Sequence, residues 1–558
     1  LGRRIRHIQR YRDIGKAFAR NGFGFIAKEL GLIEMLNIPK RLLIKDTREV
    51  HSKTTGERIR LFLEDLGPTF IKMGQLASTR PDIFPPDTIE ELEKLQDQVT
   101  PLPFEEIKQV LELELNAPIE TLFQSFHETP LATASIGQVH YAVLHSGESV
   151  AIKIQRPEIS DLVKTDLEIL QHIAILADSR TEWGRRYGIQ EIINEFSKSL
   201  RMELDYLNEG RNAEKISKQF EDNKGIFIPK VFREYSSEKI LTMEYIKGMK
   251  LSDRALTKEN GFNRKIVADR FVHAIFHQIL MEGFFHGDPH PGNIFVLPDN
   301  VVAFMDFGMV GRLTPRMKDH IASLIISMMG RNIDGLIKAI TQMGVIPDEV
   351  NKDLLRADLE DLQDKYYDVP FSQISLGEAV NDLFSVAFEH DIRIPTDLTL
   401  LGKTLLTAEG ITEKLDPEIS IVKVAEPFGK RLLKERYHPK NIAEKFLRNT
   451  IEYGEMLKDL PRSVDDMTTM IKKGKLRMEF SLPDLERVLS KLDHISNRLS
   501  FSIVLLAFSI IMTGLIIGSS FGRQSTIIWE IPAIEIGFGV AAIMLIWLFY
   551  AIFKSGRF

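Results

Sequence analysis

Apolar positions follow three different patterns along this chain, and each predicts its own kind of element. Between residues 123 and 157 (FQSFHETPLATASIGQVHYAVLHSGESVAIKIQRP), short β-like runs are separated by turn residues. They predict strands at Val139–Leu144 and Ser149–Ile154 joined by a hairpin turn at His145–Glu148. Lys239–Tyr245 reads as a further strand with Gly248 as a hinge behind it, and Ile294–Leu297 and Val301–Met305 as two more. A helical pattern opens at Gly67-Pro68 and ends at Pro81, and a longer one runs from Asn263 to Gly283. Residues 315–475 read as helices, with amphipathic runs around Ile321–Met329, Leu336–Met343 and Leu398–Leu406 that complete a helical lobe. An acidic run at Asp353–Asp364 reads as a solvated face.

The third pattern is continuous. Leu499–Gly522 and Ile536–Phe553 carry no charge at all. At ~1.5 Å rise per residue the first is long enough for a ~30 Å hydrocarbon layer, and the second just reaches it. Gly514, Gly518, Gly537 and Gly539 permit close helix contact, and Trp529, Trp547 and Tyr550 are interfacial anchor candidates. Two such runs joined by a short polar loop predict a transmembrane hairpin rather than the buried hairpin of a soluble protein. Lys472, Lys473, Lys475, Arg477, Lys491 and Arg498 precede the first run, and Lys554 and Arg557 follow the second. The positive-inside tendency then predicts a multi-pass protein of the cell (inner) membrane, with its large N-terminal portion and short tail in the cytoplasm. Residues 1–30 are basic and interrupted by charge, so no secretory signal is expected there. LGRRIRHIQRYRDIGKAFAR either lies on anionic lipid as an amphipathic helix or sits against the protein's own body.

Composition narrows the chemistry. The 558 residues, 44% hydrophobic and 27% charged, suit more than one globular domain and exclude disordered and collagen-like classes. The absence of cysteine excludes disulfides, thiolate metal sites and cysteine nucleophiles. A net charge of −6, from 72 basic and 78 acidic residues, gives no pull towards nucleic acid.

The candidate chemistry lies mid-chain. Small residues dominate Leu131–Val139, where backbone N–H groups could approach phosphates. Val150-Ala151-Ile152-Lys153 puts one lysine in an apolar strand. Taken alone it reads as an edge-strand lysine pointing to solvent. If buried it needs a carboxylate or a phosphate as partner, and the motifs that follow favour this second reading. Downstream, His286-Gly287-Asp288-Pro289-His290-Pro291-Gly292-Asn293 is followed by Asp306-Phe307-Gly308. An Asp, an Asn five residues on and a later Asp-Phe-Gly are the protein-kinase arrangement of catalytic Asp and metal-binding Asn and Asp. Mg²⁺ takes hard oxygen ligands, which accounts for the residue types. The competing reading makes His286, Asp288 and His290 a first-row metal site.

These residues resemble the UbiB family, atypical kinase-like proteins linked to ubiquinone biosynthesis, over nearly all of residues 60–310 and the C-terminal hairpin. Lys72-Met73-Gly74-Gln75 is similar to the family's KxGQ motif, Glu203-Leu204-Asp205 to its ExD motif, and HGDPHPGN to its catalytic loop. The resemblance implies that Leu131, Ala132, Thr133, Ala134, Ser135, Ile136, Gly137, Gln138 and Val139 form an alanine-rich nucleotide loop. It also implies that Lys153 contacts phosphates with Glu209 as its ion-pair partner, that Asp288 is the catalytic position, and that Asn293 and Asp306 hold Mg²⁺. Lys72 and Gln75 would reach over the site and meet Glu203. Spacing alone puts Asp205 and Glu209 on one helical face and leaves open which of them meets Lys153.

The expected architecture is α+β: a protein-kinase-like two-lobe fold with a helical N-terminal extension and a C-terminal two-helix transmembrane hairpin. The expected divisions are an extension over 1–120, an N-lobe with a helical insert over 121–250, a C-lobe over 251–480, and a juxtamembrane and membrane part over 481–558. Gly287 stands where ordinary kinases carry the arginine of HRD, and no APE-like segment follows Asp306-Phe307-Gly308, which speaks against protein substrates. The implied function is a membrane-anchored ATPase that binds Mg²⁺ and ATP and supports isoprenoid quinone production or extraction. Its expected partners are ATP, membrane lipids, quinone precursors, quinone-pathway enzymes and a second copy of the chain. The rivals are a lipid or small-molecule phosphotransferase with Asp288 as base, and an ATP-sensing scaffold.

Overall fold

The computed structural model describes residues 2–30, 53–95, 100–252, 261–329, 331–344, 350–367 and 373–421, with scattered positions from 369 onward. Two compact units divide the chain at Lys445 and Phe446. The predicted spans at 499–522 and 536–553 lie outside the described residues apart from single positions. Among the described residues, no helix is long and apolar enough to cross a membrane.

Among the described residues of the first unit, eleven strands form three sheets. The strands are β1 (Phe123–Phe126), β2 (Ala132–Thr133), β3 (Gly137–Leu144), β4 (Ser149–Gln155), β5 (Ile226–Phe227), β6 (Ile240–Glu244), β7 (Met249–Lys250), β8 (Phe284–His286), β9 (Ile294–Leu297), β10 (Val301–Phe304) and β11 (Val310–Arg312). The largest sheet runs β1-β3-β4-β6, with β2 paired to β3; a second runs β5-β10-β9-β7; β8 and β11 form the third. The β3–β4 hairpin turns at Gly147, whose φ of 96° is open to glycine at little cost. Val150, Ile152 and Ile154 of β4 pack on Ile107 and Leu111 of the Phe104–Leu115 helix, so the residues between them face the other way.

On that other face lies the extension. A capping box starts the Thr55–Leu66 helix: Thr54 Oγ1 accepts the Glu57 N–H (3.2 Å) and Glu57 returns a carboxylate to the Thr54 N–H (2.8 Å). Gly67, at φ 85°, then turns the chain into the Pro68–Ala77 helix. Phe70, Met73 and Ala77 share a core with Ile136, Tyr206 and Leu241, tying extension to sheet. The N-terminal helix Gly2–Arg20 buries Ile14 and Ala17, and its Arg10 grips Asp166 (2.6 Å) and Leu66 O. That helix lies against the protein's own body. Arg80, 3% exposed, pairs with Asp82 and Glu195, while Asp82 also accepts the Ile394 N–H. This buried network fastens the end of the extension to the Ile189–Leu204 helix and to the far helical region.

The register of the smaller sheets assembles the motifs. Phe304 stands opposite Ile294 in the β9–β10 hairpin, which brings Asn293 and Met305 together at its open end; the Met305 N–H donates to Asn293 O at 2.8 Å. Val310 stands opposite His286 in β8–β11, and the Gly287 N–H donates to Met309 O at 2.9 Å. Two short ladders thus gather residues 286–293 and 305–310 into one place. The acidic run lies on the Lys352–Tyr367 helix, which buries Leu355, Leu359 and Leu362 and turns Asp353, Glu360, Asp361 and Asp364 to solvent.

Candidate active site

Lys153, on the face of β4 opposite Ile152 and Ile154, meets Glu209. The two Glu209 carboxylate oxygens lie 3.1 and 2.8 Å from Nζ, and Asp306 Oδ2 is 3.9 Å away. Burial works against the charge on Lys153, but Asp306 and Glu209 facing it outweigh that, and its pKa stands well above the ordinary lysine value. Beside that ammonium the Asp306 carboxyl is held below its usual range. Asp306 adopts a left-handed φ of 58°, uncommon for a residue with a Cβ, and its Oδ1 accepts the Gly308 N–H at 3.2 Å. The next residue, Phe307, is fully buried, and that burial contributes about 2–3 kcal/mol towards keeping the segment in place.

His286 joins the two motifs. Its Nε2–H donates to Met305 O (2.8 Å) and its Nδ1 accepts the Asp288 N–H (3.2 Å). A carbonyl only accepts and an amide only donates, so the ring is held as the neutral Nε2–H tautomer. With both nitrogens engaged, His286 is not a metal ligand, and the first-row metal reading fails. Among the described residues, no group of three or more His, Asp or Glu side chains stands ready for a metal. Asn293 donates through Nδ2 to Asp288 O at 3.2 Å, which leaves its amide oxygen available.

The extension contributes Lys72, whose Nζ lies 2.7 Å from Glu203 Oε1 and whose charge also acts on Asp306. Gln75 departs from expectation: it donates to Leu95 O at 3.3 Å instead of meeting Glu203. Residues three apart on a helix differ by about 60° in direction. That offset rolls Gln75 towards the segment where Leu92 and Leu95 close on Gly74. Asp205 departs too. The helix breaks at Leu204, and Asp205, in extended backbone, caps the Tyr206–Lys218 helix by accepting the Leu207 N–H; it also pairs with Arg211 at 3.2 Å. Asp205 and Glu209 therefore do not share one continuous helix face, and Glu209 alone of the two reaches Lys153.

The alanine-rich segment is a hairpin clamped on itself. The Leu131 N–H donates to Val139 O, the Ala134 N–H to Gly137 O, and Arg156 holds Ile136 O and Ala134 O. Leu131 and Ala132 face outward, with Thr133, Ala134 and Val139 half-buried, while Ser135, Ile136, Gly137 and Gln138 are buried. Gln138 accepts the Leu102 N–H. A Cβ on Gly137 would stand 2.5 Å from Tyr206 Oη, so this glycine lets the hairpin close on the Tyr206 ring.

One residue of the site was missed. Lys403, from the Thr396–Leu415 helix, places Nζ 3.7 Å from Asp288 Oδ1. Its only signal in the sequence is a single lysine inside the apolar run Leu398–Leu406, the same kind of signal that pointed to Lys153.

Three family models match the chain: the ABC1 atypical kinase-like domain at residues 94–340, the UbiB helical domain at 359–420, and the ABC1/UbiB kinase-like C-terminal domain at 483–554. An uncharacterized protein of Synechocystis is 36% identical over 78% of this chain and 75% of its own length. The chain belongs to the ABC1/UbiB atypical kinase family. A Clostridium pasteurianum protein from the 5′ region of hydrogenase 1 is similar over nearly the whole length, 31% identical over 98% of this chain and 99% of its own. A probable protein kinase UbiB of Erwinia tasmaniensis is 34% identical over 76% of this chain and 82% of its own length. The fold is accordingly a kinase-like domain of mixed helix and strand, and the UbiB helical domain is the part that supplies Lys403.

The donor set at the site suits Mg²⁺ carried by a nucleotide. An ionised Asp306 and the free amide oxygen of Asn293 are hard oxygen ligands, and Mg²⁺ commonly takes one or two protein groups and completes its shell with phosphates and water.

Proposed function

We propose that this chain binds Mg²⁺–ATP among Lys153, Asn293 and Asp306, and that Asp288 promotes attack of water on the terminal phosphate. Lys153, held charged and aimed by Glu209, would contact the phosphates. Asn293 and Asp306 would hold Mg²⁺, which when bound neutralises the phosphate charge. The carrying observation is the Lys153–Glu209 pair with Asp306 3.9 Å from the same ammonium: one cation ready for phosphate beside one carboxylate ready for a metal. The replacement of a flexible glycine loop by a clamped hairpin, and a lysine of the extension close to the site, favour water over a protein chain as acceptor.

We further propose that the domain works at a membrane and supports the production or extraction of isoprenoid quinone lipids. The described positions Ile503, Leu506, Ile510 and Ile517 are helical and each more than half exposed, as suits residues that meet lipid. The quinone link rests on the family resemblance and on relatives named as probable protein kinase UbiB.

The test is phosphate release from Mg²⁺–ATP by the full chain, with and without anionic liposomes and a quinone-precursor-like phenol, beside Asp306→Asn. Turnover that rises with lipid and disappears in the variant supports the reading. Nucleotide binding without turnover under every condition sinks the ATPase reading in favour of an ATP-sensing scaffold.

A further inference from the structure

The Thr396–Leu415 helix grips the segment His286–Asp288 through one face, on which Leu400, Lys403 and Thr404 fall at helical spacing. Thr404 is fully buried, with Oγ1 3.3 Å from His286 O and 3.2 Å from Gly287 O. Leu400 covers Gly287 so closely that a Cβ there would stand 2.6 Å from its Cδ2. In the first turn, Asp397 accepts the Arg312 N–H at 2.8 Å, beyond Asp306-Phe307-Gly308. Side chains at 397, 400 and 404 thus fix the height and rotation of the helix against both motifs, and Lys403 is delivered to Asp288 from that fixed frame.

Two other lysines near the site, Lys153 and Lys72, face other carboxylates: Lys153 meets Glu209 and Asp306, and Lys72 meets Glu203. Among the described residues, no hydrogen bond holds the Asp288 carboxylate. Its amide and carbonyl are engaged by His286 and Asn293, but the side chain, 35% exposed, has one charged neighbour, Lys403 at 3.7 Å. An aspartate with an unanchored carboxylate samples several rotamers, whereas an ammonium delivered to one side of it by a seated helix favours one.

We propose that Lys403 is a positioning residue, which orients the Asp288 carboxylate and thereby makes the helical domain part of the reaction machinery. The proposal rests on the reading above that Asp288 acts at the terminal phosphate of ATP. It assigns Lys403 no contact with the nucleotide.

The test uses the full chain carrying Lys403→Met or Lys403→Arg, with phosphate release from Mg²⁺–ATP and nucleotide affinity measured separately. Lys403→Met should lower kcat by roughly 10- to 100-fold, the scale of a misplaced reacting group. Nucleotide Kd should stay within about twofold, and Lys403→Arg should recover most of the rate. An unchanged kcat in Lys403→Met, or a loss carried by Kd alone, overturns the proposal. A wild type without turnover fails the ATPase reading, and a double-mutant cycle then tests, without it, the Lys403–Asp288 pairing on which the positioning role depends. Thermal unfolding of Asp288→Asn, Lys403→Met and the double variant should show clear coupling, the double melting no lower than the worse single. Strict additivity overturns the pairing.

Discussion

Lys72 and Glu203 form a 2.7 Å ion pair between the N-terminal extension and the last turn of the Ile189–Leu204 helix, just before the chain kinks at Asp205 to begin the helix that bears Glu209. The two side chains are 14% and 19% exposed, so removing one leaves the other poorly hydrated. Lys72→Met should therefore cost about 3 kcal/mol of stability, and adding Glu203→Gln should recover part of it. Urea unfolding of the two singles and the double variant measures this; a Lys72→Met chain as stable as wild type would contradict it.

Lys153→Met should change how stability depends on pH. Burial already pushes the Glu209 carboxyl up, and Lys153 opposes that push. Without the lysine the folded-state pKa rises further above the unfolded value of about 4.3. A raised folded pKa means that the native state binds the proton more tightly, so its contribution is full at low pH and lost as pH rises through the folded pKa. The variant should accordingly gain stability as pH falls from 7 towards about 5, and Lys153→Met with Glu209→Gln should lose that gain. Urea midpoints across this range give the sign directly.

Gly287→Ala should destabilise by about 1–3 kcal/mol, because its Cβ would press on Leu400. Leu400→Ala in the same chain should relieve part of that strain. If Gly287→Ala melts like wild type, the helix is not seated as described.

Arg80→Ala should cost about 3–5 kcal/mol, since it strands Asp82 in a buried position. Hydrogen exchange should rise at Ile394, whose N–H donates to that carboxylate, together with the Ile189–Leu204 helix that holds Glu195. Protection unchanged at both places would show that the network does not fasten these parts together.

Much of this was legible in the sequence, and what was not has identifiable physical causes. The lone lysine of Val150–Lys153 called for a charged partner, but the resemblance and not the pattern named Glu209. In the structure Val150 and Ile152 pack on the Phe104–Leu115 helix and leave Lys153 on the other face. The spacing of Asp288, Asn293 and Asp306 could be read because a short hairpin lies between them and its register is tight. Asp205 was misplaced because a helical period was continued across a cap. An aspartate followed by an apolar residue can open a new helix as readily as continue an old one. Gln75 meets Leu95 O rather than the Glu203 that the resemblance implied, because an offset of about 60° from Lys72 is enough to change its neighbours. Lys403 went unnoticed because a lone lysine in an apolar helix has a bland explanation, with its stem buried and its head in water. Its partner lies far back in the chain, and only the docking of Thr404 and Leu400 brings the two together.

The neutral imidazole of His286, bonded on one side to Met305 and on the other to Asp288, has a mechanical meaning. It welds Asp288, Asn293 and Asp306 into a single plate, whereas Lys153 rides on the five-stranded sheet. Any hinge between sheet and plate would leave the spacing among those three residues nearly constant and would stretch the 3.9 Å gap between Lys153 and Asp306. That gap is therefore the natural gauge of opening and closing, and a spectroscopic ruler belongs across it rather than between the two aspartates.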